Sequence, residues 1–408
     1  MQRIKYAFVL AVFLLNIAIT KASLLETTLS ETDTISVSLL TATPGKQIYE
    51  RFGHTGIRIH VPSKKFDGVY HYGLFSFSDP NFEYRFMKGK TDYMIGCMHY
   101  HDFLTMYALR GSGVRELKLN LTQEEARNLF DALLENIKPE NQTYRYSFLY
   151  DNCATRPLEI ILRNLRGEVT IAPLEEPIPT FRNLIHECTA QDKWVMFGLD
   201  LILDGEVDDK ISLPNKPFLP HITEQIFQTA SIVRGGVEES LSSVPVEVLA
   251  ARVEEKDSSI FDYITPNVLS ITLLLLVIVA SGVEIRRVKH NKTLDTIIFA
   301  ICGILGVVIF FLMLFSEHPA VSSNLNAIWL HPIWLVVIPL IWIRKAQKFL
   351  YCYHFINFAL LLLYFIIAIF ATQYIEFATF MFVGILLVRS ITYILLDRKL
   401  RKNRAKTR

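Results

Sequence analysis

The fold is decided by the stretch Tyr150-Asp151-Asn152-Cys153-Ala154-Thr155-Arg156, which places one cysteine between polar residues. An apolar-periodic segment follows it, with one helical face formed by Leu158, Ile161, Leu162 and Leu165. The spacing predicts a helix that begins near Cys153, where backbone N–H groups and the helix dipole favour a thiolate. Cys153 is therefore a candidate nucleophile, and the alternative is a buried cysteine that packs as a small apolar side chain.

Pro157 leaves two possible starts for this helix. If the helix began at Cys153, the proline would remove one early backbone hydrogen bond. Either the first turn is irregular, or the helix begins nearer Thr155. The second possibility weakens the argument that the helix dipole lowers the pKa of Cys153.

The best partner for Cys153 lies upstream, in Phe52-Gly53-His54-Thr55-Gly56-Ile57-Arg58. Residues 54–61 alternate in polarity, which predicts a half-buried strand. Turn residues at 62–68 and a second apolar run at 69–73 then predict an antiparallel hairpin. We expect His54 at the start of a strand and Cys153 at the start of a helix on that sheet, with the imidazole accepting the thiol proton.

The remainder of the first half predicts an α+β domain. Residues 35–42 suit a strand or a helix, and residues 114–119 a strand. Thr122 and Glu125 form a capping box for an amphipathic helix that Pro139 ends. Six prolines in residues 170–220 predict loops and short elements, residues 223–233 a short helix, and residues 234–262 a polar linker.

The N-terminus predicts export. Basic residues at 3 and 5, an apolar run at 6–19 and Thr20-Lys21-Ala22 are typical of a cleaved signal peptide over residues 1–22, and an uncleaved anchor helix is the alternative. The predicted exported domain then covers residues 23–262, with a core at about 34–166 and an extension at about 167–262. A transmembrane domain covers residues 263–408.

Hydrophobic residues make up 51% of the chain, and after residue 263 they form five apolar runs. These lie at about 266–285, 294–315, 328–343, 349–371 and 376–396, near the ~20 residues that a spanning helix needs. Lys and Arg follow the first, third and fifth runs, whereas the loops at 316–327 and 372–375 have none. The positive-inside rule predicts an exported N-terminal domain and a cytoplasmic basic tail, rather than a tail that binds nucleic acid. Arg389 is expected to snorkel to the headgroups.

The chain has five cysteines, at positions 97, 153, 188, 302 and 352. Their spacing matches no zinc or iron–sulfur pattern, and the pair His99 and His101 has only Asp102 beside it, so no metal is expected. A disulfide between Cys97 and Cys188 would leave Cys153 free. Two buried unpaired thiols are the equal alternative.

Three blocks resemble the signature of the Lnb N-terminal periplasmic domain family: the His54 block, Tyr70-His71-Tyr72-Gly73-Leu74-Phe75, and the Cys153 block. That domain is similar to circularly permuted papain-like (NlpC-type) enzymes, and lecithin:retinol acyltransferase shares the order of His before Cys. The loop at 315–321 and Asn324-Leu325-Asn326 resemble the loop after the second helix of Lnb-type proteins. The resemblance implies a permuted papain-like exported domain followed by an all-α domain of five transmembrane helices.

The resemblance also implies a lipoprotein N-acyltransferase of the bacterial inner membrane. Cys153 would attack a phospholipid ester to form a thioester, and the α-amine of a diacylglyceryl-cysteine on an exported lipoprotein would attack that thioester. The implied partners are a phospholipid acyl donor, a diacylated lipoprotein acceptor and the membrane, and no cofactor is implied. A membrane-anchored cysteine peptidase or amidase of the cell envelope, and an inactive scaffold or sensor, are the alternatives.

Further residues take roles in this hypothesis. His71, or next Tyr72, would orient His54, and the alternative for His71 is a half-exposed strand residue. Asn152 and the Cys153 backbone N–H would form the oxyanion hole, and the alternative for Asn152 is a helix N-cap. The remaining candidates, which would bind substrate, are His318, Asn326 and Arg156; loop capping is the alternative for the first two.

Overall fold

The computed structural model describes residues 29–76, 80–173, 178–212, 217–252 and 263–406. The predicted signal peptide, residues 1–22, lies outside the described residues. The chain divides into two compact units: Met1–Leu184 with Lys210–Glu255, and Ile185–Asp209 with Lys256–Arg408. Each unit is described in turn.

The first unit is built on a seven-stranded antiparallel sheet. Its strands are β1 (Ser36–Ala42), β2 (His54–Val61), β3 (Phe66–Leu74), β4 (Asp92–His99), β5 (Val114–Lys118), β6 (Thr143–Arg145) and β10 (Val246–Leu249). Their order in the sheet is β10-β5-β1-β2-β3-β4-β6. The predicted hairpin of the His54 block is the β2–β3 pair, and it lies at the centre of the sheet.

Helices cover both faces of this sheet. They are α1 (Phe82–Met87), α2 (Tyr100–Arg110), α3 (Gln123–Asn136), α4 (Thr155–Arg163) and α7 (Pro220–Thr229). Successive side chains of β3 point to opposite faces, so Tyr70 packs against Phe130 of α3 and His71 against Phe103 of α2, with ring centroids 6.3 and 5.9 Å apart. The predicted capping box is present at the start of α3.

Residues 223–252 differ from the prediction, and residues 253–262 of the predicted linker lie outside the described residues. The helix ends at Thr229, and β8 (Ser231–Arg234) pairs with β9 (Val237–Ser240) across Gly235-Gly236, whose positive φ angles suit a two-residue hairpin turn. Strand β7 (Glu168–Thr170) completes this small sheet. The predicted linker also supplies β10, whose residues Val246, Glu247 and Leu249 pair with β5 at the edge of the large sheet.

The second unit contains five helices long and apolar enough to span a membrane. They are α8 (Pro266–Arg287), α9 (Lys292–Phe315), α10 (Ile333–Trp342), α11 (Gln347–Phe370) and α12 (Phe377–Lys406). The third span also includes a 3₁₀ turn, Leu325–Ile328. Helix α6 (Lys193–Ile202) belongs to this unit and adds Phe197 and Leu201 to its apolar core, while α5 (Phe181–Thr189) crosses the boundary between the units.

The α-helix of the third span is short because residues 329–332, between the 3₁₀ turn and α10, are not helical. The backbone of His331 lies directly against Gly306 of α9, where a Cβ would come within 2.6 Å of it. Irregular backbone at membrane depth must find its hydrogen bonds within the protein. The backbone N–H groups of Trp329 and Leu330 donate to the carbonyl of Asn326, and the carbonyl of Trp329 accepts from the indole of Trp334.

The prediction that Arg389 snorkels to the headgroups is wrong. Its guanidinium is fully buried and donates to both carboxylate oxygens of Glu284 (2.7 and 3.0 Å), to Asp295 (2.5 Å) and to Ser281 (2.8 Å). These acceptors lie on α8 and α9, at the depth of Arg389 on α12. A buried guanidinium surrounded by two carboxylates has no need to reach the membrane surface.

Candidate active site

The first component of the site is a histidine pair on neighbouring strands. His54 begins β2, and His71 lies on β3 on the same face of the sheet. Continuing the β2–β3 register from Ile57↔Tyr70 makes them diagonal neighbours, and the His54 Nε2 to His71 Nδ1 distance is 3.1 Å. One ring donates this hydrogen bond to the other, so His71 fixes the orientation of His54.

Cys153 and His54 both lie beside Gly73. A Cβ placed on Gly73 would lie 3.4 Å from the Cβ of Cys153 and 3.9 Å from Cε1 of His54. Gly73 has a φ of +91°, which favours glycine, and it lies opposite His54 where β2 and β3 have separated. The absent side chain therefore makes room for the cysteine next to the imidazole.

The helix after Cys153 begins at Thr155, with Ala154 as its N-cap residue. Pro157 is then the third helical residue, where its missing N–H has no intrahelical acceptor in any case. This settles the choice between the two predicted starts in favour of Thr155. Cys153 therefore lies in the turn before the helix, outside its first helical turn.

Burial keeps the resting groups neutral. It raises the pKa of the Cys153 thiol to about 11, although part of the side chain remains accessible. Burial also lowers the pKa of His71 to about 4 and, with the nearby His71 and Arg110, holds the pKa of His54 well below its ordinary value. The predicted preference for a thiolate is wrong, because loss of hydration outweighs the stabilisation that backbone N–H groups supply.

Two backbone N–H groups face the sulfur. Those of Thr55 and Cys153 itself donate toward Sγ and partly offset the rise in its pKa. The β2–β3 ladder ends at Ile57, which leaves the N–H of Thr55 outside that pairing. Such a pair of donors can also stabilise an oxyanion formed next to the sulfur. Sequence reasoning missed Thr55, although it directly follows His54.

Asn152 is not available as an oxyanion donor. Its side-chain N–H groups donate to the carbonyls of Phe148 (2.7 Å) and Phe218 (3.0 Å). Its Oδ1 accepts from the backbone N–H groups of Ala154 and Thr155. Asn152 therefore holds the turn that carries Cys153, and the N-cap position of the helix is Ala154, two residues later.

Tyr72 and Arg156 lie in a network separate from the histidine pair. The Tyr72 hydroxyl accepts from Asn136 at 2.8 Å, on the sheet face opposite His71, so Tyr72 does not orient His54. The Arg156 guanidinium binds both carboxylate oxygens of Asp151 (2.5 and 2.8 Å) and stacks 3.5 Å from the Tyr144 ring centroid. Both residues stabilise the loop before Cys153.

Aromatic side chains form the wall of the site. Tyr107 of α2 stacks on His54 with centroids 6.3 Å apart, and Tyr93 stacks on Tyr146 at 4.1 Å. The pKa of Tyr93 is raised to about 12, first by burial and then by its proximity to Cys153. The thiol therefore opens toward an apolar, aromatic region.

Comparison with known families assigns both parts of the chain. The Lnb N-terminal periplasmic domain matches residues 26–187, and the Lnb transmembrane domain matches residues 255–401. The chain belongs to the Lnb family. Comparisons with curated proteins and with solved structures gave no match. This Lnb protein is a multi-pass inner-membrane protein with a periplasmic N-terminal domain, as predicted.

The Lnb periplasmic match contains Cys153, His54 and His71. The mixed α/β periplasmic domain and the five apolar helices are confirmed, and the permuted papain-like relationship stays a prediction. All five cysteines are free, so the alternative in which Cys97 pairs with Cys188 is wrong. Within the described part of this Lnb chain, no group of three His, Cys, Asp or Glu side chains is placed to hold a metal ion.

The remaining candidates belong to the Lnb transmembrane unit. Asn326 is buried and its amide is occupied by the contacts of the irregular segment, so it does not present a binding surface. His318 is partly exposed, and its backbone N–H donates to the Ser316 hydroxyl at 3.2 Å. The contacts of the Asn326 side chain join α6, the third span and α11, and the loop is capped by Asn324 instead, whose side chain accepts from the N–H of Asn326. A substrate role for His318 stays a prediction.

Proposed function

We propose that this Lnb protein is a lipoprotein N-acyltransferase that uses Cys153 as the acyl carrier and His54 as the proton carrier. The observation that supports it most directly is that Cys153 and His54 both lie beside Gly73, with His71 Nδ1 3.1 Å from Nε2 of His54. Five membrane spans in the same chain suit substrates that are both lipids.

In the first step, Cys153 attacks an ester carbonyl of a membrane phospholipid. The thiol proton passes to the free nitrogen of His54, Nδ1, as the C–S bond forms. The carbonyl oxygen becomes an oxyanion that accepts from the N–H groups of Thr55 and Cys153. When the C–O bond breaks, His54 returns the proton to the leaving oxygen, which yields a lysophospholipid and a thioester on Cys153.

In the second step, the α-amine of a diacylglyceryl-cysteine on the lipoprotein attacks the thioester. His54 removes a proton from the attacking nitrogen and gives it to the departing sulfur. The C–N bond forms, the C–S bond breaks, and the products are the N-acylated lipoprotein and free Cys153. Each step conserves the proton that His54 carries, so no co-reactant is required.

Bacterial cells that lack lipoprotein N-acylation provide the test. The wild-type chain is expressed in them, and the N-termini of lipoproteins are read by mass spectrometry. We expect triacylated N-termini with the wild type and diacylated ones with Cys153→Ser. The matched control is Cys188→Ser, which removes another partly exposed thiol and keeps the Cys153 site intact.

Two results would contradict the proposal. Diacylated lipoproteins in cells with a well-expressed wild-type chain would exclude N-acyl transfer. Lysophospholipid release without N-acylation would show that water, rather than an amine, resolves the thioester. A thioester adduct trapped on Cys153 distinguishes both from an inactive scaffold.

A further inference from the structure

The periplasmic unit carries an exposed apolar surface that the catalytic steps do not use. We define this apolar surface by five side chains, which are Ile48 (59% exposed), Tyr49 (51%), Tyr84 (54%), Phe86 (44%) and Met87 (37%). They come from the 3₁₀ turn Ile48–Glu50 and from α1. A contiguous exposed patch of this kind commonly marks a protein or membrane contact.

Ring contacts join the two parts of this surface into one. Phe75, directly after β3, lies 5.9 Å from Tyr49 and 5.5 Å from Phe82. Phe82 in turn stacks on Phe86 at 6.1 Å. The turn before β2 and helix α1 therefore present a continuous aromatic track.

The same track leads to the thiol. Phe75 stacks on Tyr93 with centroids 4.9 Å apart, and it follows Gly73, the position beside Cys153, by two residues. Tyr93 then stacks on Tyr146. Aromatic side chains thus extend from Tyr49 and Phe86 to the neighbourhood of Cys153.

The composition of the surface suits a lipid interface. Tyr, Phe and Met are mixed with basic side chains: the Lys88 ammonium lies 5.5 Å from the Tyr84 ring centroid, and the partly exposed Arg85 guanidinium pairs with Asp92. Aromatic rings at headgroup level and cations near anionic headgroups are typical of membrane interfaces. The five spans of the same chain attach the periplasmic unit to a membrane.

We propose that this apolar surface rests in the outer leaflet of the inner membrane and admits a phospholipid acyl chain along the aromatic track to Cys153. The contact with the leaflet stands on the surface alone. The delivery of the acyl chain rests on the proposed function.

The contact is tested with the full chain in nanodiscs of phosphatidylethanolamine and phosphatidylglycerol. The four native tryptophans lie at positions 194, 329, 334 and 342, so Tyr84→Trp adds a reporter whose emission is obtained by difference. We expect brominated acyl chains to quench it by about half, as for a side chain about 5–10 Å into the headgroup–acyl boundary. Val246→Trp, at an exposed site on β10, is the matched control and should be quenched only by aqueous iodide.

Delivery is tested by the rate of thioester formation on Cys153 from phospholipid vesicles fused to the reconstituted protein. We expect Tyr84→Ser/Phe86→Ser/Met87→Ser to lower this rate about tenfold, since a polar surface no longer holds acyl chains. The control Val244→Ser/Val246→Ser removes apolar side chains elsewhere that are even more exposed, and it should keep the wild-type rate. Alkylation of Cys153 by iodoacetamide should be equal in all three proteins, which shows that each is folded.

The outcomes separate the two proposals. If the tryptophan at position 84 is quenched by iodide and not by brominated lipid, the proposed leaflet contact is wrong. It is also wrong if the surface binds a protein or a second copy of the chain instead. If the triple variant acylates at the wild-type rate, delivery along the track is wrong. If the wild-type chain forms no thioester while brominated lipid quenches the reporter, the leaflet contact stands and the proposed function fails.

Discussion

The neutral resting state of Cys153 makes a quantitative prediction about its reactivity. Because burial raises the thiol pKa from 9.0 to about 11, only about one molecule in 10⁴ carries a thiolate at pH 7. An ordinary thiol with a pKa of 9.0 would have about a hundredfold more. Iodoacetamide reacts with the thiolate, so its rate with Cys153 reports that fraction directly.

The experiment measures the alkylation of Cys153 by iodoacetamide at a series of pH values from 6 to 10, on the full chain in detergent. The alkylated fraction of Cys153 is followed by peptide mass spectrometry over time. We expect the rate constant to rise about tenfold for each pH unit without levelling, since the whole series lies below the raised pKa. Free cysteine, measured in parallel, should begin to level off near pH 9.

A different profile would refute this argument. If Cys153 and His54 form a thiolate–imidazolium pair at rest, the rate becomes nearly independent of pH in the neutral range. A plateau below pH 8 would mean that the N–H groups of Thr55 and Cys153, with His54, stabilise the thiolate more than burial penalises it. The proton transfer to His54 would then precede substrate binding instead of accompanying the attack.

The other predictions concern the histidine pair and the buried arginine. His71→Asn keeps an acceptor for His54, so its rate of thioester formation should stay within about tenfold of the wild-type rate in single-turnover assays. His71→Leu has no acceptor, and its rate should fall about 10²–10⁴-fold. Equal rates for the two variants would contradict an orienting role for His71. The pKa of His71 falls from 6.5 in the unfolded chain to about 4 in the folded protein. Its contribution of about 3 kcal/mol to the free energy of unfolding is therefore complete above pH 6.5 and is lost as the pH falls toward 4. The thermal unfolding of His71→Leu should lack this sensitivity to acid. Arg389→Met should destabilise the protein by about 3–5 kcal/mol in thermal unfolding in detergent, because Glu284 and Asp295 are left unpaired. Adding Glu284→Gln and Asp295→Asn should restore most of the lost stability. If stability is not restored, the loss comes from packing rather than from unpaired carboxylates.

The strands and helices whose signals lie within a few consecutive residues could be predicted from the sequence. The alternation after His54 gives a strand with the predicted limits, and the capping box at Thr122 gives a helix that begins at the next residue. Both signals lie within a few residues and depend on backbone geometry alone. The same holds for the five apolar runs, whose hydropathy alone is sufficient.

Contacts between distant segments were not predictable in this way. Hydropathy gives the depth of Arg389 in the membrane and not the side of the helix on which its partners lie, and Asp295 is 94 residues away. A signal was present nonetheless, since Glu284 and Asp295 are acids inside predicted spans and need a cation. The protonation of Cys153 likewise depends on how tightly the aromatic wall encloses it, which sequence spacing does not report.

A neutral pair suits acyl transfer from an oxygen ester to a thiol. The tetrahedral intermediate expels either the sulfur or the glycerol oxygen, and the better leaving group departs. A thiol with a raised pKa is a poorer leaving group and, once deprotonated, a stronger nucleophile. An imidazolium whose pKa is held well below its ordinary value is a strong acid and readily protonates the departing oxygen. The burial that makes Cys153 a weak acid at rest therefore directs the proposed intermediate toward the thioester.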